Sequence, residues 1–370
     1  MVKNIGIVTW TKSANYGTEL QAFALAYVVK KLGANPFFLN WFSEADFNLK
    51  RQLQLLLIKH NEKKRLKDEF ANELKYQRTL DFEKRFLTYH KEIKGRRTFK
   101  NLLRNTFCFI SGSDQILNPN YVCPFYFLSF AKECRKVTYA SSIGVSSLNE
   151  QQKELYKNAL TDFYALSSRE KEGADILSDA VKNDVSVVLD PTLLLNKEEW
   201  TEVIRNADVS DLDFLKQKYI LCYFVGDNDW YWEHVKRIKQ QLNIDQVVVL
   251  PLQESHRHVD GIVYETAGPL EFLYLIQNST LVCTDSFHAT AVCINLQKQF
   301  VEFLRFKNSD EKSQNSRIYD VFERFNLSGV IIDETTNNVE VSSVDFSSTE
   351  SVLERERKFS FKFLSNSISK

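Results

Sequence analysis

Short apolar runs alternate with longer segments of helical periodicity along most of the chain. The first run, IGIVTW, is followed by a polar loop, TKSANYG, and by a helical segment that begins TELQAFAL. Thr18 and Gln21 have the spacing of a capping box, and Gly33 stands where a helix commonly ends in a left-handed residue. The next run, PFFLNW, therefore completes a β-α-β unit.

The same alternation continues to residue 304. Further strands are predicted at 106–110, 136–144, 163–168, 185–190, KYILCYFVG, DQVVVLPL, 280–284 and 299–304. Helices are predicted after a second capping box at Ser147 and Glu150, and at SREKEGADILSDA, Trp230–Leu242, 269–279 and HATAVCINL. This pattern is typical of α/β folds with parallel sheets, and its two successive series predict two Rossmann-like domains that face each other across a cleft.

The length of 370 residues also favours two domains, because it exceeds the usual size of one hydrophobic core. We expect an N-terminal Rossmann-like domain at 1–200, interrupted by a helical insertion at 44–104 that is rich in Lys, Glu and Leu. A C-terminal Rossmann-like domain is expected at 201–370, ending in a C-terminal helix.

The charge is balanced overall but not locally. The 48 basic and 48 acidic residues cancel, so the composition does not indicate a nucleic-acid partner. Between Lys50 and Arg104, however, seventeen Lys and Arg stand against seven Asp and Glu. This segment is either a solvated helical surface or a surface that meets an anionic partner, such as membrane phospholipid or a diphosphate-linked substrate.

The location expected from the sequence is cytoplasmic, with peripheral contact to the inner face of the membrane through residues 50–104. The six cysteines have no CxxC spacing, so we expect them to be reduced residues of the core. The sequence contains no signal-peptide pattern and no apolar run of about 18 residues. His256 and His258 have no Cys or carboxylate companions at ligand spacing, so we expect neither a metal nor a cofactor.

Candidate site residues follow the predicted strands, because open parallel sheets bind ligands beyond the carboxyl ends of their strands. They are Asn15, Tyr16, Gly17, Asp114, Gln115, Arg169, Ser286 and His288. His288 and Ser286 begin a predicted helix, where they either serve as local helix-start groups or form an anion site with the backbone N–H groups. Arg169 either binds an anion or pairs with Glu170 or Glu172, and Asp114 is either a base or a loop residue.

Six motifs occur in the order of the polysaccharide pyruvyl transferase family, which the chain resembles over most of its length. They are TW-x4-NYGTELQAFAL at 9–25, SGSDQILNP at 111–119, YASSIG at 139–144, SSREKEG at 167–173, VVLDPTLLL at 187–195 and TDSFHAT at 284–290. The resemblance implies a GT-B-like fold. It also implies transfer of a pyruvate ketal from phosphoenolpyruvate to a sugar of an exopolysaccharide or capsule, or of its lipid-diphosphate-linked precursor.

The resemblance further implies roles for individual residues. Arg169 and His288, together with Ser286, would hold the phosphate and carboxylate of phosphoenolpyruvate, and the NYG loop, Asp114 and Gln115 would face the acceptor. The N-terminal domain is the expected acceptor side and the C-terminal domain the expected donor side. His288 would act as an acid or phosphate ligand and Asp114 as a base. Other members carry Arg-Leu-His where this chain has Ser286-Phe287-His288, and we expect Arg305 or Arg317 to replace that arginine.

Two other functions fit the same pattern. One is a GT-B-type glycosyltransferase that uses a nucleotide sugar, with the His288 helix binding the diphosphate. The other is a non-catalytic glycan-binding protein of a polysaccharide assembly complex.

Overall fold

A computed structural model describes residues 2–13, 15–40, 74–215, 218–307, 310, 313–337 and 339–369. They form two compact units, Met1–Pro191 with Phe359–Lys370, and Thr192–Lys358. The part of the predicted insertion at 44–73 lies outside the described residues, whereas 74–104 is described. No helix in the described ranges is long and apolar enough to cross a membrane.

A parallel sheet forms the centre of the first unit. Its strands are β1 (Asn4–Val8), β2 (Asn35–Phe38), β3 (Cys108–Gly112), β4 (Arg135–Tyr139), β5 (Ser167–Ser168) and β6 (Ser186–Val187). Four of them pair in the order β2-β1-β3-β4, and β5 pairs with β6. A parallel bridge from Val137 to Ala165 joins the pair to β4. The strand order reverses between β1 and β3, which makes their carboxyl ends the topological switch point.

The helices of the first unit are α1 (Tyr16–Lys31), α2 (Leu74–Phe86), α3 (Arg96–Asn105), α4 (Glu150–Leu160) and α5 (Lys171–Val181). The prediction that Gly33 ends α1 is confirmed by its φ of 84°. The predicted capping box at Thr18 and Gln21 is wrong. Asn15 is the N-cap residue of α1, and the side-chain Nε2 of Gln21 donates to Thr9 Oγ1. The second box is also displaced, since Asn149 and Gln152 form the one that begins α4.

Two predicted strands of the first unit are much shorter in the structure. Only Ser167–Ser168 remains of 163–168, and only Ser186–Val187 of 185–190. Side-chain hydroxyls replace part of the ladder between β4 and β5, because Ser167 N donates to Thr138 Oγ1 at 2.7 Å and Ser167 Oγ donates to Thr138 O at 2.8 Å.

The second unit contains one six-stranded parallel sheet. Its strands are β7 (Tyr219–Tyr223), β8 (Gln246–Val249), β9 (Ile262–Val263), β10 (Leu281–Thr284), β11 (Phe300–Phe303) and β12 (Val330–Ile332). They lie in the order β12-β11-β10-β7-β8-β9, which is the Rossmann order with its switch point between β7 and β10. The sequence analysis missed the two short edge strands, β9 and β12.

The remaining helices are α6 (Pro191–Leu194), α7 (Lys197–Ile204), α8 (Trp230–Leu242), α9 (Pro269–Asn278), α10 (Phe287–Leu296), α11 (Ser316–Arg324) and α12 (Thr349–Ile368). The predicted bounds of α8 are confirmed. Its Tyr231 ring packs against Phe224 and Phe303 over the sheet, at centroid distances of 4.5 and 5.2 Å.

The chain divides between the units at Pro191, whereas the sequence analysis places the boundary after residue 200. The last helix is divided as well, since α12 from Phe359 onward belongs to the first unit. There Ser360 Oγ accepts the Leu189 N–H at 2.9 Å, and Ile368 O accepts from Lys3 Nζ at 3.3 Å. These hydrogen bonds explain why the end of the helix groups with the first unit rather than with the second.

Candidate active site

In the second unit, Asp285 lies directly after β10 at the switch point. Its carboxylate accepts the backbone N–H groups of Val225 at 2.6 Å and Gly226 at 2.7 Å, which follow β7. It also accepts the Tyr231 hydroxyl at 3.1 Å and Arg305 Nε at 3.0 Å. Asp285 is 4% exposed. The four hydrogen bonds therefore fix the ends of the two central strands and the position of one arginine.

Arg305 makes a second hydrogen bond, from Nη2 to the backbone oxygen of Asp285 at 2.9 Å. Its side chain is 24% exposed, so the guanidinium is held firmly while part of it faces solvent. Gly226 leaves room for this arrangement, since a Cβ there would lie 2.8 Å from Arg305 Cγ and 2.9 Å from Asp285 Oδ2. A side chain at this position would therefore force Arg305 or Asp285 to shift.

Helix α10 begins beside this pair. Ser286 is its N-cap residue, but the Ser286 side chain makes no capping hydrogen bond. The first hydrogen bond within the helix runs from Thr290 N to Ser286 O at 3.0 Å. The N–H groups of residues 287–289 therefore come before the first N–H that donates within the helix, and they point toward its N-terminus. His288, 8% exposed, lies in this first turn. The positive end of the helix and Arg305 thus occupy the same end of the sheet.

Glu302 on β11 is linked to the N-cap residue Ser286 through the Thr290 hydroxyl. It is fully buried, and its Oε2 lies 2.5 Å from Thr290 Oγ1, which in turn lies 3.0 Å from Ser286 O. Burial raises the pKa of Glu302 to about 8, although the Thr290 hydroxyl, Arg305 and Arg317 lower it. Arg305 and Arg317, the two predicted replacements for the family arginine, therefore both lie within electrostatic range of one buried carboxyl.

Gly226, Thr290 and Glu302 were not assigned site roles from the sequence. A signal was available for Glu302, since an acidic residue inside the apolar strand FVEF is unusual. Arg317 was named, and its Nε donates to Gln314 O at 3.3 Å, just before the start of α11.

In the first unit, the predicted acceptor residues lie at the switch point between β1 and β3. Asn15 Oδ1 accepts the Gly17 N–H at 3.0 Å and so caps α1, where Tyr16 is the first residue. Asp114 follows β3 and accepts the Thr18 hydroxyl at 3.1 Å, which brings the two loops together.

Asp114 adopts a φ of 64° and is half-buried. Its second carboxylate oxygen accepts the N–H of Gln115 at 2.9 Å, and the Gln115 side-chain oxygen accepts from Asn118 Nδ2 at 2.8 Å. The carboxylate is therefore fixed in orientation, yet it remains accessible enough to accept a proton from a bound hydroxyl.

Arg169 lies within the first unit in a cluster of buried charges. Its Nε donates to Glu170 at 2.6 Å and its Nη1 donates to Asp190 at 3.2 Å, and all three side chains are less than a tenth exposed. Ser142 donates to Glu170 and Ser113 to Asp190, each at 2.8 Å.

Burial lowers the pKa of the Arg169 guanidinium, but Glu170, Asp190 and Asp114 raise it more, so its pKa lies above the usual value. Of the two roles left open by the sequence, pairing with Glu170 is found, and contact with a donor stays a prediction.

A further buried acid lies on α1, two residues after Gly17 of the predicted acceptor loop. Glu19 on α1 is fully buried and accepts the Ser13 N–H at 2.8 Å, which ties down the loop that leads to Asn15. Burial raises the pKa of Glu19 to about 8, and the Ser13 hydrogen bond lowers it. The sequence analysis missed this residue, although it stands among the apolar residues of a helix that is buried on nearly all sides.

Two parallel α/β units, each with polar residues gathered at its switch point, define a two-domain protein of the Rossmann-like class. Residues 15–305 match the family model described as polysaccharide pyruvyl transferase. The match covers most of the chain, so the chain belongs to this family and is a transferase. No curated protein matches the chain at a significant level.

Among solved structures, a protein assigned as UDP-N-acetylglucosamine 2-epimerase from Listeria monocytogenes is similar, with a TM-score of 0.52 and 11% identity over 99% of this chain and 91% of that chain. This likeness confirms the two-domain Rossmann-like fold class and nothing more. UDP-GlcNAc 2-epimerase from Methanocaldococcus jannaschii, in complex with UDP-GlcNAc and UDP, aligns with a TM-score of 0.47 and 12% identity over 96% of this chain and 99% of that chain.

Proposed function

We propose that the protein transfers a pyruvyl group from phosphoenolpyruvate to two hydroxyls of one sugar in a cell-surface polysaccharide or its lipid-linked precursor. Family membership supports the reaction class. The observation that carries the donor assignment is the pairing of Arg305 with Asp285 at the N-terminus of α10. A fixed, partly exposed guanidinium beside a helix N-terminus is suited to a small ligand that carries a phosphate and a carboxylate.

The reaction needs a proton on the methylene carbon of the donor. Protonation converts CH2 to CH3 and leaves a cation at the central carbon, which one sugar hydroxyl attacks with loss of its proton. Phosphate then departs with the C–O bond electrons and a proton, and the second hydroxyl takes its place. Two hydroxyl protons are lost in total, one gained by the methyl group and one by phosphate, so the sequence is balanced without a cofactor.

In the second unit, we assign donor contact to Ser286, His288, Arg305 and Arg317. Arg305 and the first N–H groups of α10 would hold the phosphate, and they would stabilise the charge that develops as it departs. His288 would donate the proton to the donor or bind its phosphate. Asp285 positions Arg305 rather than binding substrate, since its carboxylate already accepts four hydrogen bonds.

In the first unit, we assign the acceptor to Asn15, Tyr16, Gly17, Asp114 and Gln115. Asp114 would accept the proton of the sugar hydroxyl. The hydrogen bonds from Thr18 and Gln115 fix the orientation of its carboxylate. Arg169 would act mainly as a positioning residue, because its Nε and Nη1 already donate to two buried carboxylates.

The decisive experiment is calorimetric titration of the full chain with phosphoenolpyruvate and, separately, with a panel of nucleotide sugars. We expect phosphoenolpyruvate to bind and Arg305→Gln to weaken binding tenfold or more, since a charge-assisted hydrogen bond contributes about 1.5–3 kcal/mol. Arg324→Gln is the matched control, because Arg324 is 22% exposed and pairs with Glu356 away from α10. Binding of nucleotide sugars without phosphoenolpyruvate would refute the donor assignment.

A further inference from the structure

A cavity of the first unit lies away from the switch point. It has a volume of about 640 Å³ and is formed by one face of α3 and the segment that leads into β4. Its lining residues are Arg96, Phe99, Lys100, Leu103, Arg104, Phe130, Lys132, Glu133 and Cys134. None of these residues belongs to the site proposed above.

The rim of this cavity is cationic. Four of its side chains are basic and one is acidic, and all five residues are exposed. Helix α3 has four basic residues and no acidic one. Within the described ranges, Arg96, Lys100, Arg104 and Lys132 make no ion pair or side-chain hydrogen bond. Because neighbouring cations repel one another, this arrangement is stabilised when an anion binds among them.

The floor of the cavity is apolar. Phe99 and Leu103 lie one turn apart on α3 and are partly exposed. The Phe99 ring meets Phe130 edge to face at a centroid distance of 6.4 Å, and the Cys134 thiol lies 3.7 Å from Leu103 O. The cavity therefore offers apolar carbon surface directly beneath its cationic rim.

We propose that this cavity binds the headgroup of an anionic phospholipid, so that the first unit docks on a negatively charged membrane surface. A free phosphate would use the rim and not the floor, whereas an apolar ligand would leave the cations without a partner. A phospholipid presents a phosphate and, next to it, the start of its acyl chains, which matches both parts. Basic amphipathic helices bind anionic membranes by the same combination of charge and apolar contact.

The test is flotation of the full chain with two kinds of vesicle, one of phosphatidylcholine alone and one that also contains about 30% phosphatidylglycerol. The second kind presents the anionic surface that attracts basic segments. We expect binding only to the anionic vesicles. The variant Arg96→Gln/Lys100→Gln/Arg104→Gln should bind roughly 100-fold more weakly, since each basic side chain near such a surface contributes about 1 kcal/mol. Glu133→Gln, which removes the one negative charge of the rim, should bind several-fold more tightly.

The charge-matched control is Lys30→Gln/Lys157→Gln/Lys171→Gln, three exposed lysines of the same unit that do not line the cavity. It should bind almost as wild type. Equal loss of binding in both triple variants would overturn the proposal, because net charge rather than the cavity would then govern binding. So would equal binding to both vesicle types, or binding of glycerol phosphate without binding of vesicles.

A second readout locates the contact. Cys134 lines the cavity and Cys123 does not, and both are partly exposed. Alkylation by a maleimide, followed by mass spectrometry of the two peptides, should slow at Cys134 and not at Cys123 when anionic vesicles are added. Vesicle binding that leaves Cys134 unprotected would place the membrane contact elsewhere and reject the cavity as its site.

Discussion

Glu302 Oε2 lies 2.5 Å from Thr290 Oγ1, although the Thr290 hydroxyl also lies 3.0 Å from Ser286 O. A hydroxyl has one proton and cannot donate to both oxygens. The arrangement is satisfied when Glu302 is a neutral acid that donates to Thr290, while Thr290 donates to Ser286 O. The raised pKa of Glu302, caused chiefly by burial, agrees with this assignment.

Stability should therefore fall as the pH rises from about 4.5 to about 8, the range between the ordinary and the raised pKa of Glu302. In this range the folded state keeps a proton that the unfolded state has lost, so each pH unit costs up to about 1.4 kcal/mol per such group. Glu302→Gln keeps a donor toward Thr290 and should reduce this slope. Urea denaturation at several pH values measures it, and an unchanged slope would contradict a neutral Glu302.

Gly226→Ala should destabilise the protein by about 1–3 kcal/mol, because the added methyl group overlaps the Arg305 and Asp285 side chains. The same change should weaken phosphoenolpyruvate binding by displacing Arg305. Gly95→Ala serves as the control, since a Cβ there meets no atom within 4 Å, and it should cost less than about 1 kcal/mol. Similar unfolding curves for the two variants would show that the contact at Gly226 relaxes without strain.

Arg169→Met should destabilise the protein by about 3–5 kcal/mol, because it leaves Glu170 and Asp190 buried without a positive partner. Adding Glu170→Gln and Asp190→Asn to it should recover much of the loss. Arg205→Met removes an exposed ion pair with Glu202 and should cost at most about 1 kcal/mol. Equal midpoints in urea for Arg169→Met and Arg205→Met would mean that the buried cluster is not maintained by charge pairing.

Asp114→Asn should reduce turnover by about 10²–10⁴-fold while leaving phosphoenolpyruvate binding unchanged, since it removes only the proposed base. The fold should tolerate the change because Asn readily adopts the positive φ of this position. Phosphate release from phosphoenolpyruvate with a panel of monosaccharide glycosides is the assay, and Asp175→Asn on exposed surface is the control. Full turnover in Asp114→Asn would exclude a base role.

Much of the second unit follows from the sequence, because its strands are short apolar runs and its helices have clear periodicity. The bounds of α8 are predicted to the residue, and those of β10 and α10 to within one residue of each predicted end. The positions of Ser286 and His288 at the start of α10 follow from that pattern.

The pairing of Arg169 with Asp190 could not be predicted from the sequence pattern. Asp190 is twenty-one residues away along the chain, and it meets Arg169 because β5 pairs with β6. Both strands contain only two residues, too short to be located by alternation. Likewise, Arg305 and Arg317 were equal candidates to replace the family arginine in the sequence. The position of Arg305 depends on its hydrogen bonds to Asp285 at the switch point, which join residues twenty apart in the chain.

The division of α12 between the units has a consequence for synthesis. The ribosome makes the second unit before residues 359–369, which supply partners for Leu189, Lys3 and Arg135 of the first unit. During translation, the first unit therefore lacks these hydrogen-bond partners until the whole of the second unit has been made.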